Sequence, residues 1–391
     1  MNMQSNRARW RGIVALTAVS CAAQIGQFGI AFVLYPLALS ARGGAPWQLG
    51  LVGGALWAGM AAGLLLAPRL IRRHGHGATV GAGLLVSGLA LLLSPSLPTS
   101  SWVALAFACG LGMGLRWIGN ETWLYDILPE KARGRLVGLH ETLLGIAAVL
   151  GPVLIGWLDA AGSRIFVVAA AFCLLAALPL YLARAYRVPA HADHESASSF
   201  AAWLRGLARP GALIAGLGGL MEGALLGLFA AYAGWRGLDT AQAAWLLSAY
   251  GAGAMLLQFP LGWLVDHRGL RVGTVVTAVL TAVCAVLLWP GLCNGWTLGA
   301  LMFVFGGAQA GFLTLGMIAA TDGLGGAEMA GEVSRVSLAY SGLSALGAPL
   351  VGLLISASSG AALLVFTVIV ALLLATLVQR HPQLRSSVAA S

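Results

Sequence analysis

Four ionisable side chains of this 391-residue chain lie where water is scarce. Arg116, Glu121, Glu141 and Glu222 each sit inside a long apolar stretch. Ionisable groups at bilayer depth are costly to hold there, so they read by default as functional groups. Glu222 lies about 12 residues into its stretch, near the middle of a helix that rises about 1.5 Å per residue. A carboxylate there can take a proton, cross the low-dielectric region as a neutral group and release the proton to water, which is what proton coupling requires. The structural alternative is a neutral acid bonded to a backbone carbonyl. Arg116 keeps its charge under ordinary conditions. It needs a partner, or it meets an anionic ligand. Arg116, Asn120 and Trp123 share one helical face, and with Gln24 and Gln309 they are expected to line a solute cavity. Glu121 is turned away from that face, toward Glu141 and the adjacent His140. Two acids at one depth disfavour joint ionisation and are able to share a proton; the alternative is a structural Arg–Glu network.

Other chemistry finds little support. Cys21, Cys109, Cys173 and Cys284 lie in apolar runs and Cys293 in a short loop, without the paired spacing of a metal site. His191, Asp193, His194 and Glu195 cluster in a polar stretch and read as solvated linker residues rather than metal ligands. A phosphate-cradling loop of Walker type is lacking, as is a Ser/His/Asp constellation, so neither an enzyme nor a bound cofactor is expected. Energy must then come from an ion gradient or from the solute gradient itself.

The elements that would position these residues are membrane helices. Hydrophobic residues make up 59% of the chain and charged ones 9%, against about 25% charged in soluble domains. A span needs about 20 apolar residues. Breaker-to-breaker reading places spans near 13–36, 47–67, 78–95, 102–127, 136–158 and 164–183, then 210–235, 242–265, 272–290, 296–320, 334–356 and 360–379. Arg7, Arg9 and Arg11 precede the first run, which is too long for the core of a signal peptide. Twelve spans put both termini on one side. That side carries 18 of the 22 Lys and Arg, the other side 3, and Arg116 lies within a span. The excess marks the cytoplasmic face, and its scatter among short loops argues against a nucleic-acid partner despite a net charge of +9. Trp10, Trp47, Trp102, Trp235 and Trp296 fall at span ends, as interfacial anchors do, while Trp57, Trp117 and Trp123 lie deeper.

The chain also repeats at half its length. The basic segment Gly262 to Arg271 follows Pro68 to Gly77 by 194 positions, Trp296 follows Trp102 by the same interval, and Pro349 follows Pro152 by 197. Such a repeat is the mark of a carrier made of two similar bundles. The expected organisation is a first six-helix bundle over 1–183, a cytoplasmic linker over 184–209 with a short surface helix near Phe200 to Leu207, and a second bundle over 210–391.

The segment GWLVDHRGLR resembles the signature G-x-x-x-D-R-x-G-R-R of the major facilitator superfamily. Gly262, Asp266, Gly269 and Arg271 match, and His267 replaces an Arg. GIAAVLGPVLIG in the fifth span is similar to that family's Gly-Pro motif, through Gly145, Gly151, Pro152 and Gly156, and Arg116 resembles its fourth-span Arg. Arg72-Arg73-His74-Gly75-His76 and Glu121-Thr122-Trp123 are similar to hallmarks of the YcaD-like branch, largely described as transporters without assigned substrates. The resemblance implies an all-α fold of twelve transmembrane helices in two pseudo-symmetric bundles. The first copy of the signature departs from the pattern: Arg72 takes the place of the acid and Pro68 that of the first Gly. The family's acid faces the positive end of a helix in the opposite half, where an Arg has the wrong sign. Glu328 and Glu332 at the start of span 11 would compensate by meeting Arg72 or Arg73. Asp266, beside Arg271, would meet Arg133 and Arg135 at the start of span 5. These clusters would latch the cytoplasmic side when the carrier opens outward; the alternative is exposed charges worth less than about 1 kcal/mol each.

The expectation is therefore a monomeric, proton-coupled antiporter of the bacterial inner membrane. It would export a small organic molecule by alternating access, with lipid as its surround. The alternatives are uptake of an organic anion with Arg116 as counter-ion, and a membrane sensor that transports nothing.

Overall fold

The computed structural model describes residues 3–129, 132–160, 162–183, 206, 209–322, 324 and 326–381. Apart from Gly206 and Arg209, the expected 184–209 linker lies outside the described residues. With it go its histidine cluster, most of the Phe200 to Leu207 helix, and Arg184, Arg187 and Arg205; Lys131 and Arg385 also lie outside. The described residues are helical throughout, with no strand. Twelve helices are long and apolar enough to cross a membrane. They are span 1 (Arg9–Ala41), span 2 (Pro46–His74), span 3 (His76–Ser96), span 4 (Thr99–Ile127), span 5 (Arg135–Leu158), span 6 (Ser163–Ala183), span 7 (Pro210–Trp235), span 8 (Thr240–Arg268), span 9 (Leu270–Leu287), span 10 (Gly295–Thr321), span 11 (Gly331–Ala357) and span 12 (Ala361–Arg380).

All twelve expected spans are present, and the differences lie at their ends. Span 2 does not stop at Pro68: the helix runs through it to His74, so Arg72, Arg73 and His74 form its last turn. Cations are favoured there, next to the unsatisfied carbonyls of a helix C-terminus.

The repeat appears in the backbone. Gly43 and Gly237, which end spans 1 and 7, have φ of 78° and 77°. Gly75 and Gly269, in the turns after spans 2 and 8, have φ of 83° and 80°. Both pairs are 194 residues apart, and both occupy the left-handed region where a β-carbon is strained. Packing repeats as well. A β-carbon on Gly59 would stand 2.0 Å from the Phe107 carbonyl oxygen, and one on Gly110 would stand 1.9 Å from that of Leu56. In the second half Gly253 meets Phe303 and Gly306 meets Tyr250 in the same way. Backbone contact at small residues is how membrane helices associate, since lipid offers no hydrophobic drive between them.

Spans 3, 6, 9 and 12 turn large apolar side chains outward, among them Leu85, Leu89, Leu178, Leu182, Val279, Val283, Ile369 and Leu373. The other spans form the middle, and span 7 is the most buried of all. The two bundles meet through spans 2 and 11, and through spans 5 and 8. At the end away from the basic loops, the Trp47 backbone N–H donates to Ser356 Oγ at 3.0 Å, and Trp157 meets Trp245 edge-on. Nearer the middle, Ser248 Oγ donates to the Val149 carbonyl at 3.0 Å, and Gly145 abuts Met255. Among the described residues no hydrogen bond or ion pair joins the bundles at the basic end. Across the cleft between them, the described polar contacts lie at the far end and near the middle.

One expected anchor is corrected. Trp102 is 1% exposed rather than interfacial. Its indole N–H donates to the Ser94 carbonyl at 3.0 Å, its ring packs on Tyr35 and Phe166, and the Arg42 guanidinium lies over it. Trp296, its repeat mate, is 96% exposed.

Candidate functional site

Span 1 is not a uniform helix. It is α-helical over Met3–Gln24, widens to a π-helix over Ile25–Ala31, and returns to α over Phe32–Ala41. Wide turns of this kind collect at functional sites. Here the turn carries Gly26 and Gly29 against the backbones of spans 6 and 5. It directs Gln24 and Gln27 toward span 4 and Phe28 and Phe32 toward the cleft.

Arg116 is fully buried within the first bundle. Its Nε donates to Gln27 Oε1 at 2.9 Å and its Nη2 to Gln24 Oε1 at 2.6 Å. Gln27 Nε2 donates to Ser87 Oγ, which donates to the Cys109 carbonyl, each at 2.8 Å. The guanidinium also faces the Trp117 ring at 5.8 Å. A cation is thus held at depth by neutral amide oxygens, with Nη1 buried and without a partner.

One turn toward the basic end lies a second cluster. Asn120 Nδ2 donates to Ser20 Oγ at 2.7 Å and to the Leu16 carbonyl at 3.0 Å. Ser20 Oγ donates to Glu121 Oε1 at 3.3 Å. His140 Nε2 lies 2.9 Å from the same oxygen, and its Nδ1 lies 3.3 Å from Thr17 Oγ1. Glu121 therefore does face span 5, but its partner there is His140. Glu141 is exposed and accepts from the Tyr125 hydroxyl at 3.2 Å. The two acids remain neighbours, with the Tyr125 hydroxyl beside both and His140 on Glu121.

Trp123 is also corrected. It keeps the Arg116 and Asn120 side of span 4 but lines no described cavity. It packs inside the first bundle, with its ring centroid 6.1 Å from that of His76 and in one buried apolar cluster with Val80 and Leu84.

The apex of the cleft holds a cavity of about 40 Å³, lined by Phe28, Phe32, Pro152, Glu222, Leu226 and Tyr250 among others. That volume admits a few water molecules. Glu222 is the ionisable carboxylate on its wall, and its Oε2 is buried without a hydrogen-bond partner. Gln24, Arg116, Asn120, Trp123 and Gln309 do not line it. Gln309 lies in span 10, fully buried. Beside the cavity Phe28, Phe32, Trp57 and Tyr340 form a chain of rings 4.8–6.4 Å apart, running from spans 1 and 2 across to span 11. Of these only Trp57 stood out in the sequence. The cue for Phe28 and Phe32 was their i, i+4 spacing flanking Gly29, which an apolar run hides.

At the basic end each charged group stays within its own bundle. Glu332 pairs with Arg209 and Arg335, not with Arg72 or Arg73. Arg133 Nη2 donates to the Tyr125 carbonyl and Arg271 Nη2 to the Gln379 carbonyl, each at 2.8 Å. Arg72, Arg73, Arg135, Asp266 and Glu328 take part in none of the described ion pairs.

The same fold occurs in solved transporter structures. The structure superposes on a point mutant of the nucleoside transporter NupG with a TM-score of 0.80, at 10% identity over 94% of this chain and 99% of that one. It superposes on an inward-facing bacterial homologue of the lysosomal transporter Spinster with a TM-score of 0.71, at 15% identity over 95% and 97%. In sequence it is 24% identical to an uncharacterised MFS-type transporter of Yersinia enterocolitica over 89% of this chain and 90% of that protein. It is 26% identical to the uncharacterised MFS-type transporter YcaD of Escherichia coli over 60% and 62%. The family model described as Major Facilitator Superfamily matches residues 16–240 and again 211–390, and the chain belongs to that superfamily of membrane transporters.

Proposed function

We propose that this chain is a proton-coupled secondary transporter that exports a small organic molecule by rocking two bundles, 1–183 and 210–391, about the cavity at their apex. The observation that carries the reading is the position of Glu222. It places one protonatable carboxylate on the wall of a cavity bounded by both bundles, where its charge state and the solute meet. The aromatic chain beside it suits an apolar or aromatic solute. With the basic end cytoplasmic, both termini are cytoplasmic and the arrangement described above faces inward. Glu121, tied to His140, and Glu141, tied to Tyr125, supply further groups through which protons pass to the cytoplasmic side. In the outward-facing form Arg72 and Arg73 close on Glu328 and Glu332, and Asp266 closes on Arg133 and Arg135. The working unit is a monomer in the bacterial inner membrane.

The geometry gives less support to uptake of an anion on Arg116, because its guanidinium is already engaged by Gln24 and Gln27 away from the cavity. Glu222→Gln tests the main reading, since it keeps size and hydrogen bonding while removing the titration. In vesicles with an imposed pH gradient the variant should lose accumulation against a solute gradient and keep counterflow exchange, which needs no net proton movement. Undiminished accumulation would move the coupling site to Glu121 or Glu141.

A further inference from the structure

Thr281 carries the same 194-residue offset from Ser87 that Gly269 carries from Gly75, at the start of the same two helices. In the first bundle Ser87 belongs to the polar layer of Gln24, Gln27 and Arg116, in which amide oxygens hold a cation. The second bundle has a layer at the matching depth, with different chemistry. Its members are Glu222 on span 7, Tyr250 on span 8, Thr281 on span 9 and Gln309 on span 10. Each is at least nine-tenths buried. Each also has a buried polar atom without a partner: Glu222 Oε2, the Tyr250 hydroxyl, Thr281 Oγ1, and both Gln309 Oε1 and Nε2. Most buried polar groups are bonded, so an unpartnered set on four neighbouring helices needs a cause.

Packing brings the set to one level. Spans 7 and 10 run antiparallel in contact through Gly211, Ala215 and Gly218 on one helix and Ala320, Gly316 and Phe312 on the other. Continuing both stripes by one turn sets Glu222 against Gln309. Gly311 approaches Thr277 of span 9, and one turn farther along is Thr281. Gly306 abuts the Tyr250 backbone, and the Tyr250 side chain shares the cavity wall with Glu222.

The groups available are a carboxylate, an amide oxygen and two hydroxyls. An all-oxygen set with one formal negative charge suits a hard monovalent cation, and the first bundle fills the matching layer with a guanidinium. We propose that the layer formed by Glu222, Tyr250, Thr281 and Gln309 binds a sodium ion, which enters through the apex cavity and competes with the proton for Glu222. The proposal rests on Glu222 as the coupling acid for its meaning in transport: the carrier would run on either ion. Of the elements packed on span 7, span 8 brings the Tyr250 phenol and span 11 packs through Tyr340, a second phenol, and Ser344; span 1 brings Phe28 and Phe32, span 2 packs through Gly53, span 10 through Phe312 and Gly316, and span 12 through Gly360, and no described ion pair includes Glu222.

The test is thermal unfolding of the purified full chain in detergent, in sodium chloride against potassium or choline chloride at equal ionic strength, across a pH series. Sodium should raise the midpoint by about 1–2 °C at several times its Kd. The effect should grow as pH rises, because protons then compete less. Glu222→Gln should abolish it, and Thr281→Val, a shape-preserving change, should shift the sodium dependence to about tenfold higher concentration. Equal midpoints in all three salts at every pH would overturn the proposal, as would a sodium effect unchanged in Glu222→Gln. The two readings fail separately. If pH-driven accumulation without sodium is lost in Glu222→Gln but sodium never shifts the midpoint, proton coupling stands and the sodium site falls. If sodium binds through Glu222 but that variant still accumulates solute on a pH gradient, the sodium site stands and proton coupling at Glu222 falls.

Discussion

Arg116 shows how a charge can be kept in a membrane protein without a direct ion pair among the described residues. Two Gln side chains accept from its guanidinium fork, and one of them passes the network on to Ser87. The three helices involved are thereby fixed in rotation about their own axes. Arg116→Leu would leave Gln24 and Gln27 without their donor, at about 1–3 kcal/mol for each buried group orphaned. The expected result is a lower unfolding midpoint in detergent and poorer yield. Arg116→Lys should recover part of the loss, since an ammonium lacks the planar fork that reaches both amides. If Arg116→Leu keeps the parent midpoint but loses transport, the residue serves a ligand, and uptake of an anion becomes the better reading.

Single glycines decide how closely the helices pack. Gly29 and Gly151 let spans 1 and 5 touch backbone to backbone: a β-carbon on Gly151 would stand 2.0 Å from the Gly29 carbonyl carbon. Neither backbone can yield without moving its helix, and span 1 is where the π-turn positions Gln27, Phe28 and Phe32. Gly151→Val should therefore abolish a folded, monodisperse product in size-exclusion chromatography. Gly138 lies in the helix of the same span with nothing within 4 Å of an added β-carbon. There Gly138→Ala should be neutral or stabilising by about 0.5–1 kcal/mol, through the helix propensity of Ala alone. Equal damage from both changes would mean that the span 1–span 5 contact is not what Gly151 provides.

For the whole molecule, alternating access requires the far end to open when the basic end closes. The contact of Trp47 with Ser356 is one place where that motion can be stopped. In a background with the five free cysteines replaced, Trp47→Cys with Ser356→Cys should form a disulfide under oxidation, block transport, and regain it on reduction. Transport that continues with the far end bridged would show that the bundles do not separate there. The same logic bears on the charges at the basic end. A sequence lists the groups able to pair across a cleft, but a carrier uses them in one of its states. In the form described, Glu332 turns to Arg209 and Arg335 because both are on its own side.

Much of this architecture was legible in the chain itself. The number of spans, the charge bias between their ends and the half-length repeat are local or periodic properties: the insertion cost of each segment is a sum over its own residues, and a duplicated bundle keeps the turns its fold requires, as Gly75 and Gly269 do. The depth of Glu222 followed from counting residues along one helix. What tertiary structure alone decided is which side chains meet. That depends on the rotation of each helix about its axis and on its slide past its neighbours, which interhelical backbone contacts and the π-turn of span 1 set together. Those relations give Glu121 to His140, and bury Trp102 while its mate Trp296 stays exposed.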